Sequence, residues 1–264
     1  QVWPGHGAGS ACGKNMSKET TDTLGNQKRS NYALNPALTE DEFVAIVLNG
    51  LVRPPQYFPK NVLMNIQGYD SIDQVLERGK HALSVEAFET AANETGALIL
   101  DTRDPQIFAK GFIPRSINIG LKGDFAPWVG AVVMDVNQPL VLVCNEGEEE
   151  ETITRLSRVG FDKVLGYLKG GIHTWIQAHK EIDTVDRIEA DEFANIFNAE
   201  KIEVVDVRKE SEYDTEHVLH ALSKPLAYIN EWFSILGKEA FLLHCQGGYR
   251  SMIAASILKA RGIH

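Results

Sequence analysis

The chain has 264 residues, 44% of them hydrophobic and 23% charged, a balance that builds globular domains and excludes wholesale disorder. A net charge of −10 disfavours nucleic acid and anionic membrane surfaces as partners, and no apolar run reaches the ~18 residues of a membrane span. Three cysteines, Cys12, Cys144 and Cys245, are widely spaced and odd in number; they form no disulfide framework, which points to a reducing, cytoplasmic setting.

Residues 1–80 are read as one unit. Gly5 to Lys14 could pass for a phosphate loop but fails as one. Ala8 stands where the first glycine of Gly-x4-Gly-Lys belongs, and Asn15 replaces Ser or Thr. Trp3-Pro4-Gly5-His6-Gly7 instead resembles the last metal-site motif of the metallo-β-lactamase superfamily, which often reads Pro-Gly-His. Thr23 to Tyr32, Asn35 to Leu38 and Pro54 to Pro59 resemble the tail of such a domain. Glu40 to Gly50, with Phe43, Ile46, Val47 and Leu51 on one face, is predicted as a covering helix. The unit is thus expected as an α+β remnant of that fold, with His6 a remnant of its metal site. A metal needs several ligands, and the superfamily's His-x-His-x-Asp-His cluster is nowhere in the chain, so no cofactor is expected here.

Residues 81–182 alternate strands (98–101, 140–143, 164–168) with helices (149–158 among them), the pattern of a parallel sheet covered on both faces. Residues 183–264 repeat it at a spacing of about 105 residues. Leu98 to Arg103 matches Val204 to Arg208 with Asp101 and Asp206 aligned, Phe88 aligns with Phe193, and Pro139 to Cys144 matches Leu242 to Cys245. A short polar link, Glu181 to Asp186, joins the copies.

The second copy carries the chemistry. The strand Ala240 to Leu243 runs through His244 into Cys245-Gln246-Gly247-Gly248-Tyr249-Arg250-Ser251, and a helix is predicted over Ser251 to Ala260. A loop wrapped over a helix N-terminus aims backbone N–H groups at one point, and the helix dipole adds positive potential there. A cysteine so placed, with an arginine nearby, should ionise below the ordinary thiol value. Gly247 and Gly248 let the backbone curl. The Cys-x4-Arg loop resembles the active-site loop of rhodaneses, the single-cysteine sulfurtransferases. Asp206-Val207-Arg208, Glu212-Tyr213, His217-Val218 and Ala221 resemble the pattern that precedes that loop, and we read Asp206, Arg208, Glu212 and His217 as structural. Gly111 to Ile119 and Gly170-Gly171-Ile172-His173-Thr174-Trp175 extend the resemblance to the first copy.

The resemblance implies Cys245 and Arg250 as catalytic, with Gln246, Gly247, Gly248, Tyr249 and Ser251 lining the substrate loop. In the first copy Glu149 holds the place of Arg250 beside Cys144, and Glu148, Glu150 and Glu151 surround it. Four carboxylates should raise the Cys144 thiol and repel an anionic donor, so this site is read as degenerate.

Together these readings give an α/β protein with two rhodanese-like domains after a metallo-β-lactamase remnant. The resemblance implies a fragment of a persulfide-dioxygenase-like or glyoxalase-II-like fusion, with the second domain cut short at His264. Iron or zinc would sit in the parent's N-terminal part, through which the parent could form a homo-oligomer. The implied activity moves sulfur from thiosulfate or glutathione persulfide to cyanide or a thiol. A non-catalytic sulfur-binding or docking module is the alternative. A cysteine phosphatase fits less well, since related ones use Cys-x5-Arg.

Overall fold

A computed structural model of the chain describes residues 1–3, 20–49, 53–199, 202–237 and 239–263. His6 and Cys12 lie outside the described residues. The chain divides into two units, Gln1–Arg53 and Pro54–His264.

In the first unit, helices Leu24–Ser30 and Glu40–Leu48 start on side-chain caps. Thr23 accepts from the Asn26 N–H, and Thr39 and Glu42 form a reciprocal capping box. The helix at 40–48 forms where predicted, and among the described residues its apolar side chains stay at least partly exposed. Phe43 and Ile46 are each 38% exposed, and neither helix buries a residue.

The second unit opens with helices Phe58–Gln67 and Ile72–Gly79 and continues into a five-stranded sheet of β1 (Ala82–Leu83), β2 (Leu98–Asp101), β3 (Ile117–Asn118), β4 (Leu140–Val143) and β5 (Val164–Leu168). All neighbours are parallel, in the order β1-β5-β4-β2-β3. Central β4 reads Leu-Val-Leu-Val and is wholly buried because both faces are covered. On one face Val141, Val143 and Leu168 pack with Phe88, Ile172 and Trp175, from helices Val85–Thr95 and Gly171–Gln177. On the other, Leu100, Leu140 and Leu142 pack with Phe125, Val129, Ile153 and Leu156, from helices Phe125–Val132 and Glu149–Ser157. Helix Ile72–Gly79 also joins this face through Val75, which is 1% exposed. This helix falls within the residues 1–80 read as one unit in the sequence, and its packing is against the first sheet.

Three further parallel strands follow: β6 (Glu203–Asp206), β7 (Leu222–Ser223) and β8 (Phe241–His244), in the order β7-β6-β8 among the described residues. Helix Ala190–Ala199 lies on one face, with Phe193 edge-on to His244 at 6.0 Å. Helix Tyr249–Ala260 lies on the other, with Ile253, Ala254 and Ile257 against Val205 and Val207. The apolar core runs unbroken from the first sheet into this one.

The repeat is visible in hydrogen bonds and backbone alike. Asp101 accepts from the Arg103 backbone and guanidinium, whose Nη2 also donates to the Gly111 carbonyl. Asp206 and Arg208 do the same, with Glu216 supplying the carbonyl. These clamps fix the exits of β2 and β6. Arg115 (φ 69°) and His220 (φ 64°) hold equivalent left-handed positions.

Candidate active site

In a parallel sheet the loops leaving the carboxyl ends of neighbouring strands converge, and ligand sites form there. The β6–β8 pairing sets Asp206 beside His244, so the loops after both strands meet above the sheet. Cys245 is the first residue past β8. The helix starts at Tyr249, two residues before the predicted start, because Gly248 caps it in the left-handed conformation (φ 84°) that glycine adopts without strain. Of the two glycines expected to ease the turn, only Gly248 has a positive φ.

Cys245 Sγ accepts from the Gly248 N–H at 3.2 Å and the Ser251 N–H at 3.4 Å, and lies 3.5 Å from the Ser251 hydroxyl. Burial pushes the thiol pKa upward. The Ser251 hydroxyl and the N–H groups of Ser251, Gly247 and Gly248 outweigh it, leaving the thiol below its ordinary value. The Ser251 hydroxyl is also 3.2 Å from the Gly248 carbonyl, so its proton can swing to the sulfur once the thiol ionises.

Arg250 is placed otherwise than as a free donor to the sulfur. Its Nη1 donates to Glu212 Oε2 at 2.6 Å and its Nη2 to Glu212 Oε1 at 2.9 Å. Glu212 also accepts from the Lys209 N–H. The arginine hydrogen bonds, acting against burial, hold the Glu212 carboxyl down at about 2. Arg250 still feels the Cys245 charge, but less than that of Glu212. Sequence reasoning took Glu212 as merely structural. The Tyr249 side chain also leaves the cradle, since its hydroxyl donates to the Gly120 carbonyl of the first domain at 2.7 Å. Gln246 and Gly247 stay in the loop leading to Gly248.

A further residue at this rim escaped sequence reasoning. A methyl group placed on Gly248 would lie 4.0 Å from Arg187 Nη2. Arg187 is exposed and has no ion-pair partner among the described residues. It follows the linker, and its only sequence signal was a lone cation between acidic residues.

The Cys144 site differs throughout. The thiol is 5% exposed, and burial, then Glu149, Asp101 and Glu148, push its pKa far above the ordinary value. Two of the four nearby carboxylates turn elsewhere: Glu150 pairs with Lys80 at 2.6 Å and Glu151 with Arg155 at 3.4 Å. Among the described residues no three His, Cys, Asp or Glu side chains gather as metal ligands would. No helix among them is long and apolar enough to cross a membrane.

The rhodanese-like domain family model matches residues 84–178 and 189–264. The chain belongs to the rhodanese-like family. The thiosulfate sulfurtransferase GlpE of Pseudomonas syringae pv. syringae is 33% identical over 86 residues, 32% of this chain and 77% of that protein. An uncharacterized protein of Buchnera aphidicola is 28% identical over 83 residues, 31% of this chain; the match spans only 56% of that relative's length. Among solved structures, a metallo-β-lactamase from Staphylococcus aureus is 27% identical with a TM-score of 0.46. That match covers 63% of this chain and 44% of the other.

Proposed function

We propose that this chain is a sulfurtransferase working through a persulfide on Cys245. The Cys245 thiolate attacks the outer sulfur of thiosulfate or a glutathione persulfide. A sulfur–sulfur bond forms to Cys245, and the donor's own sulfur–sulfur bond breaks, so sulfite or glutathione thiolate leaves with the electron pair. An acceptor, cyanide or a thiolate, then attacks the terminal sulfur and Cys245 leaves as thiolate. The N–H groups that hold the thiolate are also placed for the persulfide anion, stabilising negative sulfur at both ends of the cycle. The observation that carries the reading is the pair of N–H donors on Cys245 Sγ at 3.2 and 3.4 Å, set against the buried, carboxylate-flanked Cys144.

Arg187 supplies the unpaired positive charge that an anionic donor needs, since Arg250 is shared with Glu212. The Pro4-Gly5-His6 resemblance supports a wider setting. The chain would act beside a metallo-β-lactamase-fold domain, of the persulfide-dioxygenase type, that holds its own iron or zinc and any oligomer contact. The test is a thiosulfate–cyanide assay. Cys245→Ser should lose transfer while Cys144→Ser keeps most of it, and activity surviving Cys245→Ser would reject the reading.

A further inference from the structure

The first domain lacks a working cysteine, yet it encloses the helix that carries the working loop. Three contacts run from it to helix Tyr249–Ala260. Met252 is buried among Phe108, Ala109 and Phe112. The Asn118 N–H on edge strand β3 donates to Ser256 Oγ at 2.9 Å, both residues being fully buried. Nearest the sulfur, the Tyr249 hydroxyl donates to the Gly120 carbonyl at 2.7 Å.

The seat of Tyr249 is built for a ring. A methyl group on Gly123 would fall 2.9 Å from the Tyr249 ring and force it to shift, and one on Gly120 would crowd it at 3.3 Å. Arg155, in the last turn of the helix after the degenerate loop, braces this segment by donating to the Leu121 carbonyl at 2.6 Å and the Gly123 carbonyl at 3.0 Å. Burial and the nearby Asp124 keep the Tyr249 hydroxyl protonated, as a donor must be. Tyr249 lies directly after Gly248 and two residues before Ser251, the two residues whose N–H groups reach Cys245 Sγ. Where the ring is held, those N–H vectors are held.

We infer that Tyr249 is a positioning residue, through which the first domain fixes the Cys245 loop in its sulfur-binding geometry. The degenerate domain is on this account part of the working unit. The inference rests on the sulfurtransferase reading only where activity is measured. The pH profile of Cys245 alkylation needs no sulfur transfer.

The test uses Tyr249→Phe, which removes the hydroxyl and keeps the ring, and Gly123→Ala, which displaces the ring and leaves Tyr249 intact. Both are made in the full chain carrying Cys12→Ala and Cys144→Ala, so that iodoacetamide reports Cys245. Each should raise the alkylation midpoint by roughly half to one pH unit. Each should lower kcat with thiosulfate about three- to tenfold, with KM within about twofold. A purely structural role would lower the melting temperature and leave the alkylation midpoint in place. That result, or wild-type midpoints in both variants, would overturn the inference. Raised midpoints in a chain whose Cys245→Ser variant still transfers sulfur would leave the positioning role standing and reject the carrier instead.

Discussion

Arg250 and Glu212 face each other in a bidentate ion pair, with both guanidinium nitrogens on both carboxylate oxygens at 2.6 and 2.9 Å. The pair joins the Cys245 loop to helix Glu210–Thr215 and offsets the charge of the loop's own arginine. Glu212 ionises with its pKa lowered from 4.5 to about 2, so its contribution to stability is complete above pH 4.5 and is lost as pH falls toward 2. Glu212→Gln should remove that acid-side dependence from a melting curve taken as a function of pH. The same variant frees Arg250 and removes a negative charge from the donor's path. The KM for thiosulfate should therefore fall, by roughly fivefold if about 1 kcal/mol is recovered. A raised KM would mean that the pair's hold on the loop outweighs its charge.

Arg187 gives a prediction of opposite sign. Its guanidinium at the rim by Gly248 is exposed, and exposed charge contacts contribute about 0.2–1 kcal/mol. Arg187→Ala should raise the KM for thiosulfate by about two- to fivefold and leave kcat near wild type. The effect should shrink with added salt, since it is Coulombic and solvent-exposed. A neutral acceptor thiol should show no such change, which separates donor recognition from general damage to the site.

Strain at the repeated left-handed positions can be relieved. Arg115 and His220 are exposed and sit at φ 69° and 64°, where a side chain costs about 1–2 kcal/mol. Glycine removes that cost but gives back roughly 0.5–1 kcal/mol through the freedom of its unfolded chain. His220→Gly should therefore stabilise the protein by about 0.5–1 kcal/mol in urea unfolding, with activity unchanged. Destabilisation would show that the His220 side chain makes contacts that offset its backbone strain.

Much of the frame was legible from local signals. The apolar runs at 98–101, 140–143 and 164–168 are strands within the predicted limits, and the 105-residue repeat reappears in the Asp101–Arg103 and Asp206–Arg208 clamps. The Cys245 loop was readable because strand, glycine and helix lie within a dozen residues of one another. What escaped depends on partners far along the chain. Glu212 meets Arg250 across 38 residues, and Tyr249 meets Gly120 across 129. A sequence window shows an arginine five places after Cys245 but not the carboxylate that occupies it. The packing of helix Ile72–Gly79 was hidden for the same reason: Val75 joins the core of the first sheet, which no change of composition near residue 80 announces.

The most direct test of Cys245 as sulfur carrier is the mass of the full chain after brief incubation with thiosulfate and removal of excess donor. The account predicts one added sulfur atom, mapped to the peptide containing Cys245 and discharged by cyanide or a small thiol. It should be absent from Cys245→Ser and present in Cys144→Ser. An adduct on Cys144, or none in the wild-type chain while thiosulfate is turned over, would contradict it.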